Sequence, residues 1–230
     1  MRKPLLLLAA LTFAAPSVAR AATKPTVAIL YFDYQGKDDQ MGLLKKGLAQ
    51  MLISDLSGSE AYQIVERDRL QEILDELKLG RSKSIDKKTA AKVGKLLGAR
   101  YMVLGGYFDV MGMLRIDARV VEVETGKIIK SVGTNGAPDT FMDLEQKLVG
   151  ELATVLDTQL EVKAAPKRRK KKKTTKRPKK LPMKTALTYA KALDAKDRGD
   201  KKTAKAELKK VVAAQPDFSL AQVDLTQLMQ

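Results

Sequence analysis

The sequence predicts an α/β fold, a mixed sheet flanked by helices, followed by a short C-terminal α-hairpin module. Three observations carry that expectation. Apolar runs of strand length alternate with amphipathic helical runs across residues 25–161. Two long stretches within them, Arg100–Val110 and Met113–Val123, are the strongest strand signals. The last fifty residues carry only helical pattern, and a tract of lysine and arginine separates them from the rest.

The elements follow in order. Thr26–Phe32 is a short apolar run of strand length, and the polar residues Asp33–Gln40 read as a loop. Leu44, Leu48, Met51, Leu52 and Leu56 recur at helical spacing, so Met41–Leu56 is an amphipathic helix ended by Ser57-Gly58-Ser59. Tyr62–Val65 is a second short strand. Arg69–Leu79 places Leu70, Ile73, Leu74 and Leu77 on one helical face and closes at Gly80. Asp86 can accept from the free N–H groups that begin a helix over Lys87–Leu97, with Ala90, Val93 and Leu97 inward and Gly98 past its end. In Met113–Val123 the inward set is Leu114, Ile116, Ala118, Val120 and Val123, with a break of phase near Val121. Arg115, Asp117, Arg119 and Glu122 fall outside. The tight turn Glu124-Thr125-Gly126-Lys127 leads into Ile128–Val132, making a hairpin. Asp139–Leu160 is a long helix burying Phe141, Leu144, Leu148, Leu152, Val155 and Leu156. Strand order does not follow from these patterns.

Beyond Met183 three helices are expected, Lys184–Asp197, Lys202–Ala214 and Ser219 to the end, punctuated by Gly199-Asp200 and Pro216-Asp217. Ala192, Gly199, Ala204, Leu208 and Pro216 resemble one tetratricopeptide repeat, with Leu225 and Leu228 on a truncated next helix. Tyr189 stands slightly out of place for the bulky aromatic of that pattern, and a plain helical hairpin is the alternative. One such unit is marginal alone. It is expected to rest on the first domain, to self-associate, or to accept a partner's helix.

Composition removes much chemistry. The 230 residues include no His, Cys or Trp, which excludes Ser-His-Asp and Cys-His catalysis, thiolate or imidazole zinc sites, redox dithiols and disulfides. A hydrophobic content of 44% is that of a globular protein. The formal charge of +16 is concentrated in one place. Lys163–Lys180 holds twelve Lys and Arg in eighteen residues with no acid. Without that tract and without Arg2, Lys3 and Arg20, about +1 remains. Like-charge repulsion, Pro166 and Pro178, and the lack of large apolar residues predict an extended linker.

Arg2 and Lys3, the apolar run Leu5–Ala15, Pro16 and the small residues of Ala19-Arg20-Ala21 together predict a secretory signal cleaved near Ala21. The run is shorter than the roughly 20 residues of a spanning helix, so no transmembrane span is expected in the mature chain. Export turns the reading of the basic tract away from nucleic acid, as does the absence of interleaved aromatics. The anionic partners then expected are lipid, lipopolysaccharide or cell wall, each nearby cation contributing about 1 kcal/mol at an anionic bilayer. The candidate tether comprises Lys167, Arg168, Arg169, Lys170, Lys171, Lys172, Lys173, Lys176, Arg177, Lys179 and Lys180. A solvated spacer without a dedicated partner is the alternative.

The strings VAILYFDYQGKDD (27–39), YQIVERDRLQEILDELKL (62–79), VGKLLGARYMVLGGY (93–107) and RIDARVVEVETGKII (115–129) resemble the curli-secretion-channel, or CsgG-like, family. They are also similar to the periplasmic domains at the start of TolB and in lipoprotein activators of peptidoglycan synthases. The most specific parts are Val65-Glu66-Arg67 with Leu70, Gly94–Ala99 running into Tyr101, and Val123-Glu124-Thr125-Gly126. The chain departs from the family's pore-forming members in two ways. It lacks the lipidated N-terminal Cys, and its strand connections are too short for inserted membrane-spanning hairpins, which need strands of about 9–11 residues. What the resemblance implies is the family's periplasmic domain without the pore.

No constellation of residues suggests catalysis, so no cofactor and no enzyme activity are expected. Asp33, Asp38 and Asp39 lack the spacing of a calcium loop, and no metal site is expected. Gly105-Gly106 and Gly133–Gly136 lack the Lys-Ser/Thr of a phosphate loop. Glu66 and Arg67 are expected to cap and position the helix that follows. The organisation read from the sequence is a signal over 1–21, a CsgG-like domain over 22–161, a polybasic linker over 162–181 and a tetratricopeptide-like module over 182–230. The expected function is a periplasmic interaction or assembly factor of the cell envelope, with envelope proteins or a second copy as partners. The alternatives are a regulator of a peptidoglycan synthase and a subunit of an outer-membrane secretion channel.

Overall fold

A computed structural model describes residues 24–79, 86–160 and 180–230. Its strands are β1 (Thr26–Ile29), β2 (Asp33–Tyr34), β3 (Gln63–Ile64), β4 (Tyr101–Val110), β5 (Met113–Glu122) and β6 (Ile128–Gly136). Its α-helices are α1 (Asp39–Leu56), α2 (Arg67–Glu76), α3 (Lys87–Leu96), α4 (Phe141–Leu160), α5 (Met183–Asp197), α6 (Lys201–Ala214) and α7 (Ser219–Met229). The mixed sheet runs β3-β1-β4-β5-β6, with β2 also paired to β4. β3, β1 and β4 are parallel, while β4-β5-β6 is an antiparallel meander.

The residue pattern explains the layers. β1 sends Val27 and Ile29 into one apolar cluster and Ala28 with Leu30 into the other. A continuous apolar run is what a strand covered on both faces requires. One cluster fills the space between the sheet, α1 and α4; the other lies under α2 and α3, where Leu70, Ile73, Leu74, Ala90 and Val93 meet Met102 and Val123. β5 alternates, with Leu114, Ile116, Ala118 and Val120 in the first cluster and Arg115 and Arg119 exposed. The connection between β4 and β5 is Met111-Gly112, both at positive φ.

Several expectations change in detail. The predicted loop after Phe32 begins with β2, because the chain stays alongside β4: the Leu30 and Gln35 N–H groups donate to the Val103 and Tyr107 carbonyls. The interruption between β1 and β2 lets the Phe32 ring lie over Gly105, where a Cβ would stand 2.2 Å from a ring carbon. The phase break near Val121 is a register shift between Val120 and Val121. The extra residue is Ile129 on β6, so β5 keeps its alternation and Val123 is buried on the face opposite Val120. β6 continues to Gly136 rather than ending at Val132.

The last three helices begin and end close to where their periodicity and punctuation place them. Tyr189 is fully buried at their centre, its ring 4.9 Å from that of Phe218 in an edge-to-face arrangement. Its hydroxyl donates to Asp224 Oδ2 at 2.7 Å. This module does not stand apart. α5 packs along α1, and Leu181, Ala186, Tyr189 and Leu193 belong to the same apolar cluster as the core of the α/β body.

Candidate functional site

The geometry most able to organise function is the seam where α5 meets α1 and α2. Close approach comes first. A Cβ on Gly47 of α1 would lie 3.2 Å from Ala190 Cβ and 3.6 Å from the Ala186 carbonyl, so small residues on both helices bring the backbones together. This explains why α1 is buried around most of its circumference: one side faces the sheet and another faces α5.

Charged groups then set the register of that packing. Asp194 and Asp197, three apart, share a face of α5. Lys46 Nζ lies 2.9 Å from Asp194 Oδ1 and 2.6 Å from Asp197 Oδ2. Arg67, the first residue of α2, reaches the same carboxylate, Nη1 donating to Asp197 Oδ1 and Oδ2 at 2.8 and 2.9 Å. Its Nε donates to Gln50 Oε1 at 3.1 Å, and its Nη2 to Asp68 Oδ1 at 2.7 Å. The Tyr31 hydroxyl accepts from Arg67 at 3.2 Å and donates to Gln71 Oε1 at 2.8 Å. At the rim, Lys196 Nζ meets Asp68 Oδ2 at 3.0 Å.

The cluster is dry. Arg67 is 1% exposed and Lys46 3%. Burial opposes the Arg67 charge, but Tyr31, Asp197 and Asp68 more than offset it, and its pKa lies above the ordinary arginine value. Burial also raises the Tyr31 phenol, which keeps it neutral as a donor and acceptor. A buried ion pair of this kind is a weak net stabiliser but strongly penalises any arrangement that leaves one partner unmatched. Chemically the seam fixes one docking geometry.

The other residues singled out by sequence fall elsewhere. Asp38 caps α1, accepting from the Gln40 N–H at 2.8 Å. Asp33 is in β2. Among the described residues no group of three or more metal-ligating side chains is able to hold an ion. Gly105-Gly106 and Gly133–Gly136 are strand positions. Glu66 occupies the N-cap of α2 without a side-chain capping bond, and Arg67 turns away to α5, so this pair does not cap the helix as expected. Of the candidate tether, Lys180 is exposed just before α5, and Lys167, Arg168, Arg169, Lys170, Lys171, Lys172, Lys173, Lys176, Arg177 and Lys179 lie outside the described residues. The seam itself was missed from sequence. Its signal was the small or apolar set Gly47, Ala49 and Ile53 on α1, away from the main leucine stripe.

With the sheet, its two flanking layers and the seam in place, the chain can be set beside known proteins. Residues 9–110 match the family model of the curli production assembly/transport component CsgG. The match takes in the α/β body from β1 to the end of β4, and in that part the body is similar to CsgG. Among solved structures, the CsgG-like body is similar to the LpoB C-terminal domain from Salmonella enterica, at 15% identity over 50% of this chain and 86% of that one, with a TM-score of 0.38. TolB from Acinetobacter baumannii is similar at 12% identity over 60% of this chain and 29% of that one, with a TM-score of 0.38. A PelC dodecamer from Paraburkholderia phytofirmans gives 12% identity over 61% of this chain and 90% of that one, with a TM-score of 0.36. No curated protein matches. No helix among the described residues is long and apolar enough to cross a membrane.

Proposed function

We propose that this protein is a non-enzymatic interaction and assembly factor of the cell envelope, exported to the periplasm. In this reading the CsgG-like body and the helical module act as one rigid block, and the basic tract between them engages an anionic surface. The observation that carries it is the seam. Lys46 and Arg67 of the body are matched to Asp194 and Asp197 of the module in a buried cluster, so the molecule presents a single preorganised surface to partners. Preorganisation lowers the ordering cost of binding.

The short connections favour a factor over a pore. The β4–β5 link is Met111-Gly112 and the β5–β6 link is five residues, Val123–Lys127, whereas a spanning hairpin needs two strands of about 9–11 residues. In this reading the protein works beside membrane machinery.

Crosslinking in intact envelopes, followed by purification of the full chain, tests this reading. Recovery with a defined envelope assembly is expected, and whether that assembly synthesises wall or exports protein chooses between the two assembly roles. The same purified chain should bind anionic vesicles with an affinity that falls as salt rises. Steady conductance in planar bilayers, or an intact leader on cytosolic protein, would overturn the proposal.

A further inference from the structure

The sheet ends in two unlike margins. β3, at one margin, has two residues, whereas β6, at the other, has nine and among the described residues pairs only with β5. A long unpaired margin is a template for another strand. Beside it, between β6 and α4, lies a cavity of about 620 Å³ walled by Lys130, Val132, Lys147, Gly150, Glu151 and Val155. Val132 and Val155 are half-buried and give the groove an apolar floor. Lys130 and Lys147 give its walls two cations against the one carboxylate of Glu151.

Gly150 adds a second, independent observation. It sits in the middle of the twenty-residue α4 and is exposed, and a Cβ placed on it meets nothing within 4 Å. Glycine weakens a helix interior, and here no neighbour among the described residues requires it. What it leaves is room for backbone to come close from outside.

We infer that the β6 margin and the β6–α4 groove bind an extended, acidic peptide segment of a partner protein, which adds to the sheet as a further strand. Main-chain hydrogen bonds to β6 supply affinity, and alternate side chains enter the groove, where an apolar residue meets Val132 and Val155 and an acidic one meets Lys130 and Lys147. A second copy fits this surface poorly. In a two-fold contact the same patch meets itself, which brings Lys130 and Lys147 against their own counterparts. The inference deepens the proposed function by naming a partner-binding surface. Its test uses purified protein, so failure of the envelope assignment and failure of the groove give different results.

The experiment pans a displayed library of random nine-residue peptides on the immobilised full chain. Enriched peptides should carry Asp or Glu at alternate positions. A synthetic copy of the strongest should lose at least tenfold in affinity when alternate amides are N-methylated, and again with Gly150→Leu or Lys130→Glu in the protein. Leucine is a better helix former than glycine, so Gly150→Leu should melt no lower than the parent, which separates a blocked groove from a misfolded chain. Absence of enrichment, peptides without acidic bias, or equal binding by Gly150→Leu would each overturn the inference. So would self-association in sedimentation that Gly150→Leu abolishes, since the occupant would then be a second copy.

Discussion

The α1–α5 seam and the inner face of α4 bury acidic side chains in opposite ways. At the seam, the Asp197 side chain is 4% exposed and meets two cations, Lys46 and Arg67, each contributed by a different helix of the CsgG-like body. On α4, Glu145 is fully buried, the Gln146 amide stands 3.3 Å from its Oε2, and burial pushes its carboxyl up to about 8. Desolvation acts on both. One site answers it with opposite charge, which demands that three elements arrive in one arrangement; the other answers it with a raised affinity for a proton. Charge pairing therefore specifies how the two parts of the chain dock, and proton uptake ties stability to pH.

The largest expected loss of stability is at Asp197. Asp197→Ala leaves Lys46 only Asp194 and Arg67 only Asp68 as carboxylate partners in a largely buried seam, and the loss of one partner from such a cluster costs up to about 3–5 kcal/mol. The urea midpoint should fall accordingly, with the helical signal of the module lost first. Replacing the set by Lys46→Met, Arg67→Met, Asp194→Leu and Asp197→Leu should recover much of that loss, because an apolar seam of similar volume leaves none of these buried charges unmatched. A loss below about 1 kcal/mol in the single variant, the range of an exposed pair, would show that water enters the seam.

The sequence made the faces of elements legible, and left their partners dark. Alternation in Leu114–Val120, the cap at Asp86 and the three last helices could be read because each depends on residues close in the chain. Strand order could not, and neither could Arg67 with Asp197, which lie 130 residues apart. A charged side chain in a helical run reads as solvated unless the apolar pattern around it closes, and α1 shows that closure in Gly47, Ala49 and Ile53. Glu145 carried a clearer mark. It lies between Leu144 and Leu148 on the stripe of α4 that fills the core, a position passed over when only apolar residues are counted.

Glu145 sharpens the contrast through pH. Its carboxyl titrates near 4.5 when unfolded and at about 8 in the folded protein. Between those values the native state holds a proton that the unfolded state has released. Stability is therefore fullest below about 4.5, declines as pH rises, and levels off above about 8. Glu145→Gln removes the titrating group and keeps the shape. Urea melts should show the variant close to the parent at pH 5 and more stable at pH 8.5, by roughly 4–5 kcal/mol if the whole shift is expressed. An equal slope of stability against pH in both proteins would assign the burial cost elsewhere.

The smallest effect lies at Gly150, on the opposite, exposed face of the helix that buries Glu145. The seam and the Glu145 site constrain side chains from within, whereas a Cβ on Gly150 would meet no neighbour among the described residues. Its helical conformation needs no glycine, and its carbonyl accepts from Thr154 Oγ1 at 2.8 Å whatever side chain it bears. Gly150→Ala should therefore raise stability by about 0.5–1 kcal/mol through helix propensity alone, with an unchanged dependence of unfolding free energy on urea concentration. A fall in stability would mean that α4 requires glycine for its own packing, and the groove would lose the argument that its open floor is kept for another chain. A rise would leave a helix carrying a replaceable weakness where β6 and α4 stand open, the mark of a surface shaped by what it binds.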